Sequence, residues 1–107
     1  MLEILEEHPD LTALFTPNEA GLSGMYEALK DSGKNIPDDF SIISLASARR
    51  AEKLLPSLTT MDFPTEEMGK LGVEILVRIL NQEVDIPPHR LLEAKLSVRQ
   101  SSGPAPV

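Results

Sequence analysis

The order in which short β-prone runs alternate with helix-forming segments constrains this chain most. Leu11 to Thr16 (LTALFT) is an apolar run bounded by Pro9 and Pro17, and it predicts a buried strand. Leu22, Met25, Tyr26 and Leu29 then recur at helical spacing, and Gly33 stands where a left-handed residue ends a helix. Phe40 to Leu45 predicts a second strand. Ahead of both, Leu2, Ile4 and Leu5 predict a short helix that His8-Pro9 stops. Helix, strand, helix, strand with connections of a few residues is the pattern of an α/β fold, a flavodoxin-like or Rossmann-like parallel sheet with helices on its faces.

The second half is less regular. Ala46 to Pro56 is weakly helical, and Leu58 to Met61 is β-prone. Thr65 opens the strongest helix, with Glu66 and Glu67 at its positive end and an apolar stripe of Met68, Leu71, Gly72, Ile75, Leu76 and Ile79. Asn81-Gln82-Glu83 closes it, and Pro87-Pro88 reads as an extended link. Leu92, Ala94, Leu96 and Val98 alternate with polar residues, which predicts a strand over Leu91 to Val98. Ser101 to Val107 reads as a tail too poor in apolar residues to order itself.

Several function classes are excluded early. Ten Lys and Arg against seventeen Asp and Glu give a net charge of −7, so this chain lacks the cationic face that phosphate backbones require. No apolar run is long enough for a membrane helix, so no membrane partner is expected. Without cysteine there are no disulfides or thiolate ligands, which is compatible with a cytoplasmic location. His8 and His89 each sit beside a proline with no second ligand in range, so no metal is expected. Ser23 lacks the glycine two positions on that a nucleophile elbow needs and reads as a packing residue; Met25 is there instead. Asp38-Asp39 reads as an exposed turn, and Arg49, Arg50 and Lys53 as a solvated face. Neither a catalytic constellation nor a cofactor motif is present, so the chain is not expected to be an enzyme.

Asn18 remains. It follows the first strand and precedes the next helix, at the edge of open α/β sheets where ligands collect. Its amide offers a donor and an acceptor to a hydroxyl-rich ligand. It equally suits a helix cap.

Thr16-Pro17-Asn18-Glu19 with the helix from Ala20 to Leu29 resembles the "AND…A-L-G-A-L-R-A-L" stretch of LacI/GalR-type transcriptional regulators. Asp31 to Ser44 is similar to that family's "G-x-x-V-P-x-D-I-S-V-V-G", Leu55 to Met61 to its "P-P-L-T-T-V", and Leu92 to Ser101 to its closing "P-x-x-L-V-x-R-x-S". The resemblance implies part of a periplasmic-binding-protein-like sensor core, in which two α/β subdomains close on a small sugar- or nucleoside-like effector. It implies that residues 1–61 belong to the C-terminal subdomain and 62–90 to a crossover and a helix of the N-terminal one, with 91–100 a returning strand and 101–107 a flexible tail. It further implies a homodimer paired through Leu22, Met25, Tyr26 and Leu29, and operator DNA read only by a headpiece outside this chain. As ligand-site positions it implies Asn18, Phe63 and Ala46; Phe63 is either a cleft aromatic or a buried linker residue. Ala46 stands where the family carries a carboxylate, and alanine cannot accept the same hydrogen bonds. A sugar-binding transport or chemosensory protein of the same fold is the alternative.

Overall fold

The computed structural model describes residues 1–83, 85 and 89–107. Its elements are α1 (Leu2–Glu7), β1 (Ala13–Thr16), α2 (Leu22–Asp31), β2 (Ser41–Ser44), α3 (Ala48–Ala51), β3 (Thr59–Asp62), α4 (Thr65–Leu80) and β4 (Lys95–Ser97). The sheet order is β1-β2-β3-β4. β1 pairs parallel with β2, Ala13 opposite Ser41 and Thr16 opposite Ser44, and β2 pairs parallel with β3 through Ile43 opposite Thr59. This is the α/β arrangement that the alternation of runs requires. Among the described residues no helix is long and apolar enough to cross a membrane.

The chain divides into two compact units, Met1–Asp62 with Leu96–Val107, and Phe63–Lys95. In the first, Leu5 of α1, Leu22 and Leu29 of α2, Phe40 and Ile42 around the start of β2, Ala51 of α3 and Leu58 form the core. Leu22 and Leu29 lie seven residues apart and so share one face of α2. β2 runs between two paired neighbours, and its residues alternate between half-buried and buried. Gly33, at φ 72, ends α2 in the left-handed conformation that glycine adopts without a Cβ penalty. In the turn before β2, Asp39 accepts hydrogen bonds from the Asn35 backbone N–H (2.8 Å) and side-chain amide (3.0 Å). Those bonds hold its carboxyl below the usual carboxylate range.

Five expectations change here. β1 is shorter than Leu11–Thr16 and is not buried throughout: Phe15 is 55% exposed, on the face of the edge strand that its neighbours leave open. The helical stretch after Ala46 contracts to Ala48–Ala51, and the strand over Leu91–Val98 to Lys95–Ser97. Ser23 lies exposed on α2 rather than packed. Most consequentially, the tail is anchored at its start. Ser101 is fully buried; its hydroxyl donates to Ile42 O (2.6 Å) and accepts from Thr59 N–H (2.8 Å), while its carbonyl accepts from Ile42 N–H (2.7 Å). Gly103 N–H adds a bond to Ser41 Oγ (3.2 Å), and among the described residues only Pro104 to Val107 follow without a hydrogen bond. Composition alone misses this because hydrogen bonds, not apolar burial, hold the segment.

In the second unit α4 carries ion pairs Lys70–Glu66 and Arg78–Glu83, each at 2.7 Å. No residue of α4 is buried, and Met68, Val73, Leu76, Val77, Ile79 and Leu80 are exposed. The expected Pro87-Pro88 link lies outside the described residues.

Candidate functional site at the carboxyl edge of the sheet

Because β1, β2 and β3 are parallel, their carboxyl ends share one edge. Each of the three carries a buried hydroxyl residue there: Thr16, Ser44 and Thr60. A buried hydroxyl must find a partner, and Thr16 and Ser44 find theirs in the loop after β1. Thr16 Oγ1 (3.2 Å) and Ser44 Oγ (3.4 Å) both donate to Asn18 O, and Leu45 N–H donates to Thr16 O (3.1 Å). The backbone of Asn18 is thereby fixed over the ends of two strands, with its side chain exposed.

Asn18 does not cap α2. That helix begins at Leu22 with Gly21 as its cap, and Asn18 Oδ1 accepts from Ala20 N–H (3.1 Å) in a local turn. The next residue reaches across the edge: Glu19 Oε2 accepts from Ser47 N–H (3.1 Å) and Ser47 Oγ (3.4 Å). Around β3, Thr60 Oγ1 donates to Asp62 Oδ1 (2.7 Å) and accepts from Arg99 Nη1 (2.7 Å), and Ser97 Oγ donates to Asp62 Oδ2. The edge is a ledge of amide, carboxylate and hydroxyl groups on rigid strand ends. Such a set can exchange hydrogen bonds with a polyhydroxy ligand.

Of the three ligand positions named from the sequence, Asn18 and Ala46 both follow strands that end on this edge. Ala46 is half-buried, its methyl packed against the core. Phe63 opens the second unit, 49% exposed, beside a groove of about 370 Å³ that Pro64, Met68, Leu71 and Ile75 also line. Glu19, Thr60 and Asp62 also stand on this edge and were not singled out from the sequence. Glu19 had a signal, adjacency to Asn18 at a strand end; Asp62 and Thr60 had none beyond a hydroxyl-rich run.

The four positions assigned to pairing separate. Leu22 and Leu29 have no exposed surface, so a second copy has nothing of theirs to cover. Tyr26 is half-buried, its OH donating to Pro56 O (3.0 Å), and burial raises its pKa with the Ser101 hydroxyl opposing. Met25 keeps exposed area and lines a groove of about 680 Å³ with Leu2, Ile4, Phe15 and Gly21.

Residues 1–102 match the family model described as a periplasmic binding protein-like domain. The chain is 32% identical over 102 residues to the HTH-type transcriptional regulator CelR of Thermobifida fusca, covering 94% of this chain and 30% of that protein. It belongs to the LacI/GalR family of transcriptional regulators. Among solved LacI-family structures, the regulator from Arthrobacter sp. FB24 in complex with lactose superposes with a TM-score of 0.77 at 30% identity, covering 95% of this chain and 39% of the other. The regulator from Enterococcus faecium with bound ribose gives 0.76 at 29% identity, covering 99% and 40%. The chain thus spans well under half the length of these LacI-family proteins.

Proposed function

We propose that this chain is the effector-sensing part of a LacI/GalR-type transcriptional regulator, and that the carboxyl edge of its sheet supplies part of a small-sugar site. The exposed Asn18 amide, held over the ends of β1 and β2 by Thr16 and Ser44, carries this reading. The lactose and ribose bound by the two LacI-family structures support the ligand class. In this reading the protein is a cytoplasmic regulator and not an enzyme. In the same reading operator DNA is bound by a headpiece outside these residues, and the net charge of −7 supports this.

Titrating the isotope-labelled chain with ribose, lactose and cellobiose tests the site. Amide shifts are expected around residues 18–21, 44–48 and 60–62. Asn18→Ala should weaken binding by roughly 1–3 kcal/mol, the loss of one donor and one acceptor. Shifts elsewhere only, or an unchanged affinity, would remove Asn18 from the site.

A homodimer is part of the same proposal, now centred on Met25 and the exposed Leu2, Ile4 and Phe15 rather than on Leu22 and Leu29. Met25→Glu should raise the dimer dissociation constant by roughly 30-fold or more, the effect of a charge at an interface hot spot. Light scattering across a concentration series reads this directly. A monomeric wild type, or an unaffected dimer in the variant, would count against that surface.

A further inference from the structure

The loops that follow β1 and β2 hold one carboxylate between them. Residues 17–21 read Pro-Asn-Glu-Ala-Gly and residues 45–48 read Leu-Ala-Ser-Ala, so Glu19 is the only anionic side chain of the two. Its place is fixed. Ser47 donates to it twice, through backbone N–H and hydroxyl, and both bonds end on Oε2. Oε1 makes no hydrogen bond among the described residues, and the side chain is half-exposed. An ionised carboxylate is an acceptor at both oxygens, and its bonds are stronger than those of neutral acceptors. With one oxygen held and the other open, Glu19 is pre-set to accept a hydrogen bond and has lost part of the rotamer freedom that binding would otherwise cost. The neighbouring groups fit the same ligand. Asn18 adds a donor and a neutral acceptor, while the Ala46 methyl next to Ser47 offers neither, so Glu19 is the one charged acceptor of these two loops.

The geometry points to Glu19 as a specificity-determining contact, accepting a ligand hydroxyl at Oε1 while Ser47 holds Oε2. This rests on the sugar-sensing reading above and names the residue that discriminates for hydroxyl-bearing ligands. Glu19→Gln keeps the shape and an oxygen for Ser47 but removes the charge. In the titration with ribose, lactose and cellobiose, it should weaken the best-binding sugar by about tenfold, with wild-type amide dispersion and urea midpoint retained. Glu19→Asp keeps the charge on a shorter arm and should recover part of that loss. Three results decide the matter. Edge binding in the wild type with a loss under about fivefold in Glu19→Gln overturns this inference alone. No edge shifts with any of the three sugars overturns the sugar-sensing reading and this inference with it. If Glu19→Gln loses amide dispersion, Glu19→Asp decides: recovered fold with sugar binding supports the contact, and recovered fold without binding overturns it.

Discussion

Replacing Ser101 with alanine is expected to lower the unfolding free energy of the first unit by about 2–4 kcal/mol. The hydroxyl sits in the interior and serves two main-chain groups, donating to Ile42 O and accepting from Thr59 N–H. Removing it leaves both without that partner, and a buried polar group left unpaired costs about 1–3 kcal/mol. Against a total of about 5–15 kcal/mol for a small domain, the loss is large. Urea unfolding followed by circular dichroism reads it as a drop in midpoint at constant slope. Ser102→Ala is the matched comparison. Its hydroxyl shares one bond with Thr59 Oγ1 and is only half-buried, so about 1 kcal/mol or less is expected. Equal midpoints for the two variants would mean that Ser101 is not the clasp joining the C-terminal segment to β2 and β3.

That clasp marks the boundary of what the residues alone revealed. The alternation of apolar runs and helical periods was enough for α2, β2 and a parallel sheet, because each signal is local: Leu22 and Leu29 seven apart, Ile42 and Ile43 in a short β-branched run, Gly33 at the helix end. Signals that depend on long-range pairing were hidden. Nothing in Ser101-Ser102-Gly103 announces partners about sixty residues back in β2. The same holds at the site. Asn18 was legible from its position at a strand end. The reach of Glu19 to Ser47 spans 28 residues and has no sequence signature. Helical spacing put Leu22, Met25, Tyr26 and Leu29 on one surface, but spacing cannot tell an interface from a core; burial divided them.

Phe40→Ala is expected to cost about 3–5 kcal/mol, the range for deleting a buried phenylalanine ring. The chain has only three phenylalanines and no tryptophan, so few residues can fill a large interior volume. Phe40 alone of the three is in the core, 1% exposed among Leu5, Leu22, Leu29, Ile42 and Leu58, with Lys34 Nζ 6.0 Å from its ring centroid. Its loss removes apolar burial and leaves a cavity between α2 and the start of β2, which close-packed neighbours refill only in part. The damage is placed to reach the site as well. β2 begins at the next residue and ends on Ser44, whose hydroxyl supports Asn18, so a displaced β2 loosens the ledge. Phe15→Ala and Phe63→Ala separate this from a general effect of losing an aromatic ring. Both side chains are about half exposed, so each substitution should cost about 1 kcal/mol or less. Chemical denaturation of the three variants side by side gives the ranking. A Phe40→Ala midpoint level with the other two would mean that the core does not depend on this ring, and that the packing around β2 described above is wrong.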